Sequence, residues 1–277
     1  MPGEVDPQYL VARSVLLDAL SALGSQRKAV ILIGAQAIYL HTGAIELAVA
    51  EYTTDADIAL DPAALDAVPE IESAMMAAGF RRGNRVGAWY VSREIGGVYA
   101  NVEGDLMVPD AVGGAGSRAA RLSGHAKHVA RKARGLEAAL IDKSMKTIHA
   151  LDPADRRSFS VAIAGPAALI VSKLHKIQER LAEREQRRVD AKDALDVLRI
   201  LRAIPTIDLA KTFEKLLQTP VSKDVTREAL GGLKDLFTDP RAIGSQMAAR
   251  AAGPLADADE ITGSCAVLTT DLLGAIS

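Results

Sequence analysis

The chain has a single cysteine, Cys265, so no internal disulfide framework can form. That usage fits a reducing, cytoplasmic setting. Net charge is also nearly absent: 33 Lys and Arg against 35 Asp and Glu leave −2. There is therefore no global electrostatic case for nucleic acid, and any such case rests on a local patch. The opening MPGEVDPQYL has neither a basic n-region nor an apolar h-region, so no signal peptide is expected. Residues 29–50 are apolar enough to raise a membrane span. Gln36, His41 and Glu46 interrupt that window, as do Gly34 and Gly43, and such polar groups are costly at bilayer depth. No membrane partner is expected. There is no internal repeat and no low-complexity tract. At 277 residues, 49% hydrophobic and 25% charged, the chain has the proportions of a globular protein of one large or two smaller domains.

The informative stretch runs from Ala29 to Leu60. The apolar run Ala29–Ile33 has the length of a buried strand, Gly34 ends it, and a helical stretch follows. A second short strand then carries Asp55 and Asp57. Residues i and i+2 of a strand share a face, so two carboxylates stand side by side near a glycine turn. Like charges that close need a compensating cation or a raised pKa. A divalent metal is the usual compensation, and oxygen ligands favour Mg2+ or Mn2+. An exposed acidic strand end is the plainer alternative. The frame also admits Asp57 as the first acid, which leaves Ala59 in second place; Asp55/Asp57 puts an acid at both.

Further along, Asp6-Pro7 opens a helix that Gly24 closes. Pro69–Ala78 reads as a helix, and 85–93 with 98–108 as a hairpin around Gly96-Gly97. Asp105 lies near the end of the second arm, before the flexible-looking loop AVGGAGS. Residues 117–135 are basic, with Arg118, Arg121, Lys127, Arg131, Lys132 and Arg134, plus His125 and His128, and without any acid. That segment reads either as a phosphate-backbone contact or as a mobile loop. The two histidines have no third metal ligand nearby in sequence. Residues 136–151 and 158–164 read as strands, and Pro166 opens a helix to about Arg188. A helix over 189–203 follows, then helices to the end, with breaks at Pro220, Gly231-Gly232, Pro240 and Gly253-Pro254. Trp89 and Cys265 read as packing residues.

Three carboxylates on neighbouring strands, a glycine turn before a helix and a basic helix suit phosphoryl or nucleotidyl transfer. GAQAIYLHTGA, TTDADIAL, GDLMVP, KLHKIQER and KDALDV, in that order over residues 29–203, resemble the AbiEii/MenT-type nucleotidyltransferases of bacterial toxin–antitoxin systems. These belong to the DNA polymerase β-like superfamily. The resemblance implies an α+β fold, a nucleotidyltransferase mixed sheet with flanking helices followed by an all-helical domain closing the cleft; the shift to all-helical composition near residue 165 sets the expected domains at 1–165 and 166–277. It implies metal ligation by Asp55, Asp57 and Asp105, and catalytic roles for these with Lys173 and Asp193. Nucleotide contacts fall to Gly34, Ala35, Thr53, Lys173, Lys176 and Arg180, and Asp196 joins Asp193 as an acidic position. It further implies NTP as donor, the 3′ end of tRNA as acceptor, and an antitoxin partner. The chain departs from the superfamily in having Ala35 rather than serine after Gly34, and no arginine shortly before the acidic pair. Lys173, Lys176 and Arg180 also fit a solvated face paired with Glu179 and Glu183. The rival functions are transfer to a small antibiotic-like acceptor, and a non-catalytic relative that binds RNA or protein.

Overall fold

The computed structural model describes residues 7–43, 56–95, 97–116, 118–182 and 191–276. It is α+β, with a mixed sheet and helices. The chain divides into two compact units. The first takes its residues from 1–36, 52–133 and 143–163; the second from 37–51, 134–142 and 164–277. The last division falls between Ile163 and Ala164, and the described residues of 37–51 and 134–142 group with the later helices. Among the described residues no helix is long and apolar enough to cross a membrane.

In the first unit α1 (Pro7–Leu23) buries Val15, Leu16, Leu17, Leu20 and Leu23. β1 (Val30–Leu32) is wholly buried, and α2 (Gly34–Thr42) starts where the sequence turns at Gly34. β2 (Ile58–Leu60) and α3 (Ile71–Ala77) follow. β3 (Arg81–Arg82), β4 (Ala88–Ile95) and β5 (Val98–Pro109) form antiparallel pairs, so the expected hairpin is present. β6 (Arg131–Ala133), β7 (Lys143–His149) and β8 (Ser158–Ala164) complete a sheet of order β3-β4-β5-β2-β1-β8-β7, with β6 beside β5. β2 runs antiparallel to β1 and parallel to β5. The Trp89 indole is buried and donates to the Val129 carbonyl at 3.0 Å, a packing role as expected.

Residues 136–151 are not one strand. Leu136–Leu140 forms a 3-10 turn that buries Leu136, Ala138 and Ala139, and β7 begins only at Lys143. The turn follows Gly135 at φ +91°, whose N–H donates to the Glu137 carboxylate at 2.7 Å. These contacts close a turn that apolar content alone does not reveal.

The second unit is helical: α4 (Pro166–Ala182), α5 (Lys192–Ala203), α6 (Thr206–Gln218), α7 (Pro220–Phe237), α8 (Ile243–Ala252) and α9 (Ala258–Ala275). Pro220 begins α7, as a proline in the first turn should. Gly231-Gly232 does not break that helix. A Cβ on Gly232 would overlap the Gln178 side-chain amide, so the glycine serves close packing of α7 on α4. Cys265 is buried in α9, and burial pushes its thiol up to about 11, which makes it inert at neutral pH.

Asp142 caps α4 from a distance, accepting from Ala168 N–H at 3.0 Å. Burial raises its carboxyl above the usual range, against the Ala168 hydrogen bond and the charge of His41. A raised folded pKa means that ionisation costs stability: the carboxyl is most favourable at low pH, and its contribution declines as pH rises through the folded pKa. Asp142→Asn keeps an acceptor and removes that cost. Its stability relative to wild type should rise between acid and neutral pH. Asp142→Ala should instead lose about 1 kcal/mol of cap. Urea melts of both variants at several pH values test this.

Candidate functional site

The glycine turn and one acid of the expected pair meet. Ile33 N–H donates to the Asp57 carbonyl at 3.2 Å, extending the β1–β2 ladder by one residue. Asp57 thus stands just before β2 rather than within it, opposite the residue that precedes Gly34. Gly34 has φ +70°, and a Cβ there would sit 2.6 Å from Asp57 Oδ2. Two independent reasons therefore demand glycine: the left-handed backbone and the carboxylate lying over it. The first turn of α2 lies alongside, where the helix dipole favours a negative group. Gln36 in that turn accepts from the buried Arg13 Nε at 3.0 Å, and Arg13 also donates to His149 O and the Tyr9 hydroxyl. Those bonds fix where α2 begins.

Asp105 is the parallel neighbour of Asp57. Ile58 pairs with Leu106 and Ala59 with Met107, and Ala56 N–H donates to the Glu103 carbonyl. One step back along this register sets Asp57 beside Asp105. Ile58 and Leu106 face the apolar cluster of Val15, Met75, Phe80 and Trp89. By alternation the two aspartates belong to the opposite face. The expected first acid, Asp55, and Thr53 lie outside the described residues.

Asp105 has a cation partner that spacing does not suggest. Arg131 donates to its Oδ2 through Nε at 3.3 Å and Nη2 at 3.2 Å, and Arg85 stands 4.0 Å from Oδ1. Arg131 reaches it because β6 pairs with β5 at Met107, two residues on. A contact 26 residues away in sequence leaves no local signal.

The rest of the basic segment is largely ordered by its own bonds. Lys132 pairs with Asp110 at 2.9 Å and donates to the carbonyls of Gly114 and Gly116, tying down the glycine loop. Arg134 makes a two-point pair with Glu228. His125 Nδ1 accepts from Ile71 N–H, which leaves Nε2 to donate to the Asp66 carbonyl. That ring is a structural bridge. Among the described residues no group of three His, Cys, Asp or Glu could hold a metal ion.

Lys173, Asp193 and Asp196 meet in the second unit, but as a buried ion cluster. Lys173 is 7% exposed, and its Nζ lies 2.6 Å from Asp193 and 2.7 Å from Asp196. Asp193 also receives Arg180 at 2.8 Å and Lys176 at 3.4 Å, and Asp196 receives Arg199 at 2.8 Å. Arg199 in turn covers the Tyr39 ring. Burial opposes charge on Lys173, but Asp196 and Asp193 overcome it and raise its pKa. Burial likewise opposes ionisation of Asp193, and Lys173 with Lys176 holds it well below the carboxylate range. The expected face of Lys173, Lys176 and Arg180 is real; described contacts turn it toward α5 rather than toward Glu179.

Compared with protein-family models and with curated proteins, the chain shows no match to either.

Gly34→Ala tests the local geometry. The new methyl meets Asp57 Oδ2 and an unfavourable φ together, so a loss of about 1–3 kcal/mol is expected. Equilibrium unfolding in urea measures it, and a change under about 0.5 kcal/mol would show that the turn tolerates a side chain.

Proposed function

We propose that this protein is a metal-dependent nucleotidyltransferase. It moves a nucleotidyl group from an NTP to an acceptor hydroxyl and releases pyrophosphate. The observation carrying this reading is the Asp57 carboxylate lying over the Gly34 turn, one strand from Asp105. The residues fit a divalent cation: both are hard oxygen donors at adjacent register positions, and Asp105 already draws a cation in Arg131. Asp57, Asp105 and, by sequence, Asp55 would hold it. The chemistry it supplies is neutralisation of the triphosphate and of the leaving pyrophosphate. The chain's own part is to place those carboxylates and to keep Gly34 free of a side chain, so that phosphate oxygens can approach backbone N–H groups. The acceptor, the 3′ end of tRNA, and a cognate antitoxin rest on the family resemblance alone. Lys173, seated among two aspartates, acts through the arrangement of α4 and α5 in this reading.

Arg131 favours a second reading. A guanidinium bound to Asp105 can replace a metal permanently, giving a fold that binds without catalysing. Incubation with each labelled NTP, total tRNA and Mg2+ separates the two. Label in RNA with wild type and not with Asp57→Asn supports transfer. No label with any NTP, together with no Mn2+ binding, supports the second reading.

A further inference from the structure

The basic segment also builds a feature of its own in the first unit. Val86, Ala115, Gly116, Arg118, Ala119, Arg121, Lys127 and His128 line an open groove of about 300 Å³. The charge there is one-sided. Arg118, Arg121 and Lys127 are exposed, and none has a side-chain partner among the described residues. Among the described residues no carboxylate lines the groove. This sets it apart from the remaining cations of the segment, since Arg131, Lys132 and Arg134 are all paired. One wall is fixed in advance. Lys132 grips the carbonyls of Gly114 and Gly116 at 2.9 Å each, and Arg121 N–H donates to the Gly113 carbonyl at 2.8 Å.

The groove is also joined to the acidic pair by short links. Val86 follows Arg85, whose guanidinium is 4.0 Å from Asp105. Ala119 bridges to Arg131, the residue that holds Asp105 Oδ2. The lining of the groove thus adjoins both cations that stand near Asp105.

We propose that this groove binds the phosphate backbone of single-stranded nucleic acid, through Arg118, Arg121 and Lys127. Three unpaired cations with no acid among them suit a polyanion better than an acidic or neutral small molecule. Among the described residues the lining holds no aromatic ring beyond the His128 imidazole, so recognition falls on phosphates rather than on stacked bases. Binding through three contacts is sequence-tolerant and strongly salt-dependent. As the place of the acceptor strand this rests on the transferase reading; as a binding site it does not.

The test uses the full chain in EDTA, without NTP, and a fluorescein-labelled single-stranded RNA of roughly 12 nucleotides. Anisotropy titrations should give log K falling against log salt with a slope near −2, about 0.7 for each of three phosphates. Arg118→Ser/Arg121→Ser/Lys127→Ser should flatten that slope toward zero and weaken binding about 10²-fold near physiological salt. All three positions are exposed, and an unchanged thermal melt verifies folding. Lys211→Ser, an exposed cation of the second unit, should leave the slope as in wild type. An unchanged slope in the triple variant overturns the proposal. So does displacement of the RNA by inorganic tripolyphosphate at equal phosphate concentration, which would make this a site for small free phosphates. Because neither metal nor NTP is present, RNA binding that survives alongside absent transfer would sink the transferase reading and leave the groove standing.

Discussion

Asp57→Asn and Asp105→Asn should each lower nucleotidyl transfer by about 10³, while both proteins stay folded. On the transferase reading, each change removes one ligand charge from a cation that would offset a triphosphate, an effect worth several kcal/mol of barrier. The stability effects should differ, because the two acids have different surroundings. Asp105 is held by Arg131, itself 32% exposed, so Asp105→Asn loses a partly solvated pair worth about 1 kcal/mol or less. Asp57 lies against the Gly34 turn, and asparagine keeps its shape there. Arg131→Ala discriminates further. If Asp105 serves a cation, removing the competing guanidinium should tighten Mn2+ binding measured by paramagnetic resonance, whatever happens to turnover. If Arg131 is a permanent substitute, the variant should lose stability and gain no affinity. Wild-type transfer by Asp105→Asn would take the third carboxylate out of the site.

The parts of this fold legible in the sequence are those fixed by neighbours in the chain. β1, the turn at Gly34, the β4–β5 hairpin, and α4 beginning at Pro166 each carry a local signature: an apolar run, a glycine, alternation, a proline in the first turn. What is not legible depends on pairing at a distance. β6 is three residues of no marked pattern, made a strand by its ladder to β5, and Arg131 finds Asp105 only through that ladder. Gly231-Gly232 carries a break signal, yet α7 runs through it, with Gly232 buried beside the Gln178 amide. Alternation places Asp57 inside a strand, whereas β2 begins one residue later at Ile58; such boundaries depend on the partner strand as much as on the residue. The acids are legible as residues, and so are the basic positions of α4. Which acid meets which base is not. Glu179 and Glu183 are nearer in sequence to Lys173 than Asp193 and Asp196, yet α5 supplies the partners.

Lys173→Ala should destabilise the helical unit by about 3–5 kcal/mol, the cost of breaking a buried ion cluster from one side. Its Nζ is shared between Asp193 and Asp196, both 3% exposed or less. Removing it leaves Asp193 with Arg180 and Lys176, and Asp196 with Arg199, partners that are more exposed than Lys173 or reach one carboxylate each. The loss should therefore fall toward the lower end of that range and lower the melting temperature by on the order of 10 °C. Acid should produce a related effect. Asp193 has a depressed pKa in the folded chain, so its contribution is full above the unfolded carboxylate pKa and declines as pH falls through the folded value. The wild-type advantage over Lys173→Met should shrink in that acid range. Lys173→Met/Asp193→Asn/Asp196→Asn keeps the shapes and removes all three charges. Replacement of a buried ion set by neutral groups of similar volume is often tolerated, so this variant should recover much of the stability that Lys173→Met alone loses. Melts of the three proteins decide whether the ammonium acts by holding α4 to α5. If Lys173→Ala melts like wild type and loses only turnover, with saturating NTP, then the ammonium acts on substrate and the cluster is not what holds these helices together.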